Sequence, residues 1–168
     1  MIERYTRPEM GALWTDEHRF QTWLEVELAA SEAMAKAGRI PRKDWSLIRR
    51  KAGFDVKRIR AIEAEVRHDV IAFLTSVAEK VGPAARHVHK GMTSSDVVDT
   101  ALSVNLVKAA DLLVAGARNV RAAAAAQAEK HALTPMVGRS HGIHAEPTTF
   151  GLKMALMFDE FGRVLKRL

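Results

Sequence analysis

The sequence points to an all-α fold, and three observations predict it. Apolar residues recur at three- and four-residue spacing through most of the chain, which puts them on one side of a 3.6-residue helix. Prolines and glycines fall between the periodic stretches, where they end one helix and start the next. One stretch of more than thirty residues, from about Asp96 to Leu133, keeps the pattern with no proline in it and reads as a single long helix.

Ile2 to Pro8 is too short and mixed to be regular; it carries Arg4 and Tyr5, a donor pair that matters only if something fixes the terminus. From Asp16 to Lys36, Phe20, Trp23, Leu24 and Leu28 mark one apolar face, with Thr15 placed to cap the first turn and Gly38 to stop the last. The aromatic residues of that face belong to the core. Pro41 opens a short helix that carries Trp45 and Ile48 and ends at Gly53, and Asp55 caps another running to about Glu65. Val66-Arg67-His68-Asp69 then interrupts the periodicity before Val70 to Lys80, where Val70, Phe73, Leu74 and Val77 form a second apolar face. Either Asp69 caps this helix with two solvated neighbours, or the three ionisable groups stand at a helix N-terminus whose free N–H groups and dipole favour an anion.

Gly82-Pro83 breaks the chain again, and Ala84 to Gly91 contains His87 and His89. Their i, i+2 spacing does not share a helix face, which argues against a helical metal pair. Met92-Thr93-Ser94-Ser95-Asp96 leads into the long helix; capping employs one or two of these polar groups and leaves hydroxyls free to bind a ligand. The long helix places Leu102, Leu106, Ala109, Leu113, Ala117 and Val120 on one face, and Ala122 to Ala126 add intrinsic propensity. At 1.5 Å per residue it spans on the order of 55 Å, which suits a bundle or an oligomer better than a compact domain of this size. In the final helix Phe150, Met154, Met157, Phe158, Phe161, Leu165 and Leu168 keep the spacing to the last residue, with no Gly, Pro or polar cap. The expectation is a truncated protein, with the partners of these helices in further sequence.

Composition narrows the function. No cysteine occurs among the 168 residues, so disulfides, thiol nucleophiles and thiolate metal sites are excluded. The start, Met-Ile-Glu-Arg-Tyr, carries charge where a signal peptide needs an apolar run, and no stretch approaches eighteen apolar residues; a soluble, cytoplasmic protein with no membrane partner is expected. A net charge of +6 favours anionic partners. The basic residues are scattered among acids, aromatics make up only 6%, and no nucleic-acid motif is present, so a small polyanion fits better than nucleic acid. A solvated basic surface without function is the bland alternative.

Polar chemistry concentrates in Gly138-Arg-Ser-His-Gly-Ile-His-Ala-Glu-Pro-Thr-Thr-Phe150, read as a loop between two rigid helices. Pro135 stops the helix before it, and Pro147-Thr148-Thr149 supplies the start signals of the helix after it. Within the loop His141 lies between Ser140 and Gly142, where imidazole can give or take a proton near neutral pH and glycine permits close backbone approach.

Four separated motifs carry a resemblance: Arg4-Tyr5-x-x-Pro8-Glu9-Met10, Arg67-His68-Asp69, Gly91-Met-Thr-Ser-Ser-Asp-Val-Val-Asp-Thr-Ala101 and Gly138-Arg-Ser-His-Gly-Ile-His-Ala-Glu-Pro-Thr-Thr149. In order and spacing the chain resembles the N-terminal two-fifths or so of the bacterial adenylosuccinate lyases, in the fumarase/aspartase superfamily. The resemblance implies an N-terminal helical domain over 1–111, then over 112–168 the first long helices of a central helical-bundle domain that forms the core of a homotetramer. It implies β-elimination of fumarate from adenylosuccinate, giving AMP, and from the succinyl-carboxamide ribotide of purine biosynthesis, with neither metal nor organic cofactor.

By the same resemblance His141 matches the general acid that protonates the leaving nitrogen, and His68 a second active-site histidine. Arg4, Tyr5, Arg67, Asp69, Thr93 and Ser94 match substrate contacts, and His89 a phosphate-side histidine. The family's proton-abstracting serine lies on a Ser-Ser-x-Met-Pro-x-Lys-x-Asn loop, which this sequence lacks, and its sites draw on three subunits. The chain alone is therefore expected to be inactive. Alternatives are another superfamily member such as a carboxymuconate cycloisomerase, a non-catalytic helical assembly module, and a basic nucleic-acid binder.

Overall fold

The computed structural model of the chain describes residues 2–168. Seven α-helices and one β-hairpin are found among them: α1 Pro8–Ala12, α2 Asp16–Lys36, α3 Arg42–Lys51, α4 Val56–Val66, α5 Asp69–Val81, α6 Ser94–Lys130, β1 Pro135–Ser140, β2 Ile143–Thr149 and α7 Phe150–Arg167. The fold is all-α apart from that hairpin. Short 3-10 turns occupy Glu3–Tyr5 and Pro83–His87, so the opening segment, read as irregular, is a 3-10 turn followed by the five-residue α1. Proline at the first position of α1 supplies the pre-set φ that starts so short a helix. No helix among the described residues is long and apolar enough to cross a membrane.

The boundaries follow local chemistry. Thr15 accepts a hydrogen bond from the His18 N–H, Asp55 from that of Arg58 and Thr149 from that of Leu152, each satisfying an otherwise unpaired first-turn donor. Gly38 follows the end of α2 at φ 72, the left-handed conformation that costs glycine nothing.

Contacts divide the chain into two compact units, one ending at Lys108 and the other Ala109–Leu168; α6 contributes to both. The first unit has the larger core. Phe20 stacks on Phe73 at 5.9 Å, and Trp23 meets both rings edge-on at 5.3 and 5.5 Å. Such pairs contribute about 0.5–1.5 kcal/mol each beyond burial. Ile48 of α3, Ile59 of α4, Val70 and Val77 of α5 and Val97 of α6 close around them. The aromatic residues of α2 are core, as their spacing predicted.

Helix α6 departs from expectation. Of the face read on it, Ala109 and Ala117 are buried together with Ala101, Asn105 and Ala124, whereas Leu102, Leu106, Leu113 and Val120 are exposed. The buried positions are mostly alanines, which let neighbours approach closely, while the large apolar residues of the expected face stay exposed in this chain.

In the second unit α7 starts against the end of α6. The Phe150 N–H donates to the Thr134 carbonyl and the Gly151 N–H to the His131 carbonyl, both at 2.9 Å, and the His131 and Phe150 rings meet edge-on at 5.2 Å. A Cβ on Gly151 would lie 2.6 Å from Ala132 Cα and from the His131 oxygen, so only glycine fits this crossing. Further along, the Arg121 guanidinium covers the Phe158 ring at 4.0 Å.

Candidate functional site

The segment read as a catalytic loop is an antiparallel hairpin. Pro135 pairs with Thr149, Val137 with Pro147, Arg139 with His144 and Ser140 with Ile143. Between these pairs Ala145 and Glu146 face Gly138 alone, a bulge in which a Cβ on Gly138 would meet the Glu146 carbonyl oxygen at 2.6 Å. The two-residue connection is His141-Gly142, with φ of 51 and 76. Positive φ at both positions is the type I′ geometry whose twist matches the strands. His141 is thus held at the hairpin tip by backbone geometry; its ring is exposed and makes no hydrogen bond to another described residue.

At the α4–α5 junction Arg67 is the left-handed C-cap of α4, with φ 56 and ψ 34, and its N–H donates to the Glu63 carbonyl at 2.8 Å. The N-cap of α5 is His68: its Nδ1 accepts from the Ile71 N–H at 3.4 Å, while Asp69, in the first turn, accepts from the Val70 N–H at 2.7 Å. The reading of Asp69 as the cap is therefore corrected, because the extended backbone of His68 brings its own ring over the free N–H groups. His68 Nδ1 also lies 3.6 Å from Asp69 Oδ1. A nitrogen that accepts from an amide carries no proton, and the shorter cap contact decides between the two roles. The proton then resides on Nε2, which makes that atom a donor.

On the connector between α5 and α6, His89 adopts φ 62. Its N–H donates to Glu27 Oε2 at 2.9 Å and its Nδ1 lies 2.6 Å from Glu27 Oε1, although Glu27 is only 1% exposed. Thr93 and Ser94 follow, and the Asp96 carboxylate accepts from the Thr93 N–H at 2.8 Å, the return half of a capping box. Near the terminus the Arg4 guanidinium lies over the exposed Tyr5 ring at 4.8 Å.

The structure therefore keeps Arg67, His68 and Asp69 together, His89, Thr93 and Ser94 together, and Arg4 with Tyr5. No side-chain hydrogen bond or ion pair joins any two of these three groups among the described residues. Arg67, His89 and His141 share one property that the sequence did not announce: they are the three non-glycine residues with positive φ among those described. Left-handed backbone at bulky residues costs about 1–2 kcal/mol and gathers at functional sites.

Sequence reasoning missed Glu27 and the second buried acid, Asp44, which accepts from Arg86 at 2.9 Å and pairs with His87 Nε2 at 3.0 Å. A charged residue among apolar neighbours on a core helix was the available signal for Glu27. His87 is thereby a tie between α3 and the connector. No group of three or more His, Asp or Glu placed to hold a metal occurs among the described residues.

Residues 3–168 match the family model described as lyase. The chain is 53% identical over 167 residues to the adenylosuccinate lyase of Bacillus subtilis, covering 99% of this chain and 39% of that protein. It is 55% identical over 168 residues to the adenylosuccinate lyase of Synechocystis sp., covering 100% of this chain and 39% of that protein. The solved 3-carboxy-cis,cis-muconate lactonizing enzyme of Pseudomonas putida superposes with a TM-score of 0.88 at 32% identity, over 97% of this chain and 39% of that one. The chain thus spans about two-fifths of the length of the curated relatives it matches.

Proposed function

Because the chain belongs to the lyase family, we propose that the full-length protein is an adenylosuccinate lyase that releases fumarate from adenylosuccinate and from the succinyl-carboxamide ribotide of purine biosynthesis. The observation that carries this reading is identity of 53–55% to two adenylosuccinate lyases along essentially the whole chain, well above the 32% to the lactonizing enzyme. The fold is common to both kinds of protein and does not choose between them.

In the proposed reaction a base outside this chain takes the Cβ proton, the Cβ electron pair forms the C=C bond, the C–N bond breaks, and the leaving nitrogen takes a proton from His141. The two-residue turn at the hairpin tip sets the backbone of His141 at φ 51. His68, held by its cap bond with Nε2–H as donor, helps to orient the substrate. The Thr93 and Ser94 hydroxyls and the Ser94 N–H stabilise charge developing on the carboxylate. Arg67 and Arg4 clamp anionic groups, with Tyr5 and Asp69 completing the contacts, and His89 serves the phosphate.

We read residues 1–111 as the N-terminal domain and 112–168 as the start of the central bundle of a cytoplasmic homotetramer that works without metal or organic cofactor. Leu106, Leu113, Leu152 and Leu156, all exposed, are the surfaces that further helices would cover. The 168-residue chain alone is expected to have no lyase activity.

The test combines this chain with the missing C-terminal portion of a related enzyme and measures fumarate release, with and without His141→Ala. Activity that disappears on substitution supports the reading; assembled halves that turn over equally well with Ala at 141 refute the assignment of the acid. A non-catalytic assembly module would assemble and release no fumarate with either residue. Binding that falls steeply with salt and ignores nucleotide monophosphates would instead favour the nucleic-acid reading.

A further inference from the structure

The most unusual side chain in the first unit is Glu27. It sits on α2 among Leu24, Val26 and Leu28, is 1% exposed, and belongs to no group read as a site. Burying an ionised carboxylate is costly unless partners replace water at both oxygens. Here one residue supplies both: the His89 N–H reaches Oε2 at 2.9 Å and the His89 ring reaches Oε1 at 2.6 Å through Nδ1.

We infer that Glu27 is the positioning residue for His89, fixing both its left-handed backbone and the direction of its ring so that Nε2–H of the imidazolium donates to the phosphate of the substrate. Two features support more than a structural tie. First, the carboxylate grips the backbone N–H of a residue at φ 62, so it offsets the strain of that conformation at the point where the strain arises. Second, a carboxylate only accepts, so Nδ1–H donates to Glu27, and the ring then offers a donor to a phosphate through Nε2–H when it is the imidazolium, on a side chain still 20% exposed.

The grip also reaches the next site group. The Met92 N–H donates to the His89 carbonyl at 3.3 Å, and the Asp96 carboxylate takes the Thr93 N–H. One turn pair along the same face of α2, seven residues from Glu27, Met34 lies 3.6 Å from where a Cβ on Gly91 would stand. Helix α2 thus presents a polar grip and an apolar rest to the connector that delivers His89, Thr93 and Ser94. This inference rests on the proposed reading of His89 as the phosphate-side contact.

The experiment uses the full-length protein with Glu27→Gln, Glu27→Asp, His89→Gln and the double variant Glu27→Gln/His89→Gln. kcat and KM for adenylosuccinate and the calorimetric Kd for AMP are measured, and the Glu27→Gln crystal structure is solved. Glu27→Gln is expected to raise KM and the AMP Kd about tenfold, the worth of one charge-assisted hydrogen bond, while kcat changes less than about threefold. The double variant should bind AMP no more weakly than His89→Gln, Glu27→Asp should recover part of the loss, and His89 in the crystal should leave φ near 62.

Unchanged AMP affinity in Glu27→Gln, or losses that multiply in the double variant, would overturn the inference. Should Glu27→Gln not assemble, Glu27→Asp carries the test, with a smaller loss in the same direction expected and no loss overturning it. If the native full-length protein does not turn over adenylosuccinate, the functional reading fails by itself. The crystal structure then judges the positioning claim: His89 with unchanged φ and ring placement overturns it, and a displaced His89 sustains it.

Discussion

Replacing Arg67 with glycine should make the protein more stable and less active. Arg67 is the C-cap of α4 at φ 56 and ψ 34, a position where glycine is the usual residue. Left-handed backbone costs a non-glycine residue about 1–2 kcal/mol, and the greater freedom of glycine in the unfolded chain takes back about 0.5–1 kcal/mol. The capping bond from the residue 67 N–H to the Glu63 carbonyl is a backbone bond and survives the change. The Arg67 side chain is exposed, so little packing is lost with it. Arg67→Gly is therefore expected to gain about 0.5–1 kcal/mol. If the guanidinium clamps an anionic group of the substrate, kcat/KM of the full-length enzyme should fall about 10- to 100-fold, the effect of losing one or two charge-assisted hydrogen bonds. Equilibrium urea denaturation and steady-state assays of fumarate release measure the two sides. A stability loss beyond about 0.5 kcal/mol would refute the strain accounting, which rests on the left-handed penalty. A stability gain with undiminished activity would refute the role of Arg67 in binding.

His141→Ala in the full-length protein should lower kcat about 10²- to 10⁴-fold, the range of a lost general acid, with KM nearly unchanged; a comparable rise in KM would point to a binding role. Gly151→Ala forces a methyl to within 2.6–2.7 Å of three backbone atoms at the α6–α7 crossing, and a cost of about 1–3 kcal/mol in urea unfolding is expected. Native-like stability would mean the crossing is looser than described. The Arg60 hydrogen bond lowers the Asp16 pKa, with Coulomb attraction from Arg19 and Arg60 adding to it against the opposing effect of burial, and the Arg58 hydrogen bond lowers that of Glu79. Carboxylates with depressed folded pKa values contribute stability above their unfolded values, near 3.8 and 4.5, and lose it as pH falls through the folded ones. Arg58→Gln/Arg60→Gln should thus be less stable than the native protein at pH 7 and converge with it as pH drops below about 4. A gap that stays constant down to pH 3 would argue against these pairs.

Much of this was legible in the residues. Thr15, Asp55 and Thr149 cap where their chemistry said they would, because a cap is settled within three residues of chain. The aromatic core of α2 and α5 followed from helical spacing for the same reason. The hairpin was not legible: its strands are short, Pro147 lacks the N–H that strand signals assume, and the only cue was a His-Gly pair in place of the commoner Asn-Gly. The Glu27–His89 contact joins residues 62 apart, which no local pattern encodes. On α6 the alanines of the expected face, Ala109 and Ala117, are buried while its leucines remain exposed, a division made by neighbouring elements and invisible within the helix. The candidate residues came from motif resemblance; the positive φ shared by Arg67, His89 and His141 could be seen only in three dimensions.

Hairpin tips are ordinarily where proteins accept extra residues, because the chain there is exposed and packs against little. This tip is different, since the proposed acid is itself one of its two residues. One residue added or removed between Ser140 and Ile143 would lengthen or abolish the two-residue turn and carry the imidazole away, and a one-residue slip of either strand would turn every side chain beyond the Gly138 bulge to the opposite face. Residues 138–144 should therefore resist any change of length while tolerating exchanges of side chain on their exposed strands. A library of single-residue insertions and deletions across the full-length gene would display that asymmetry as a gap at the tip of an otherwise accessible surface.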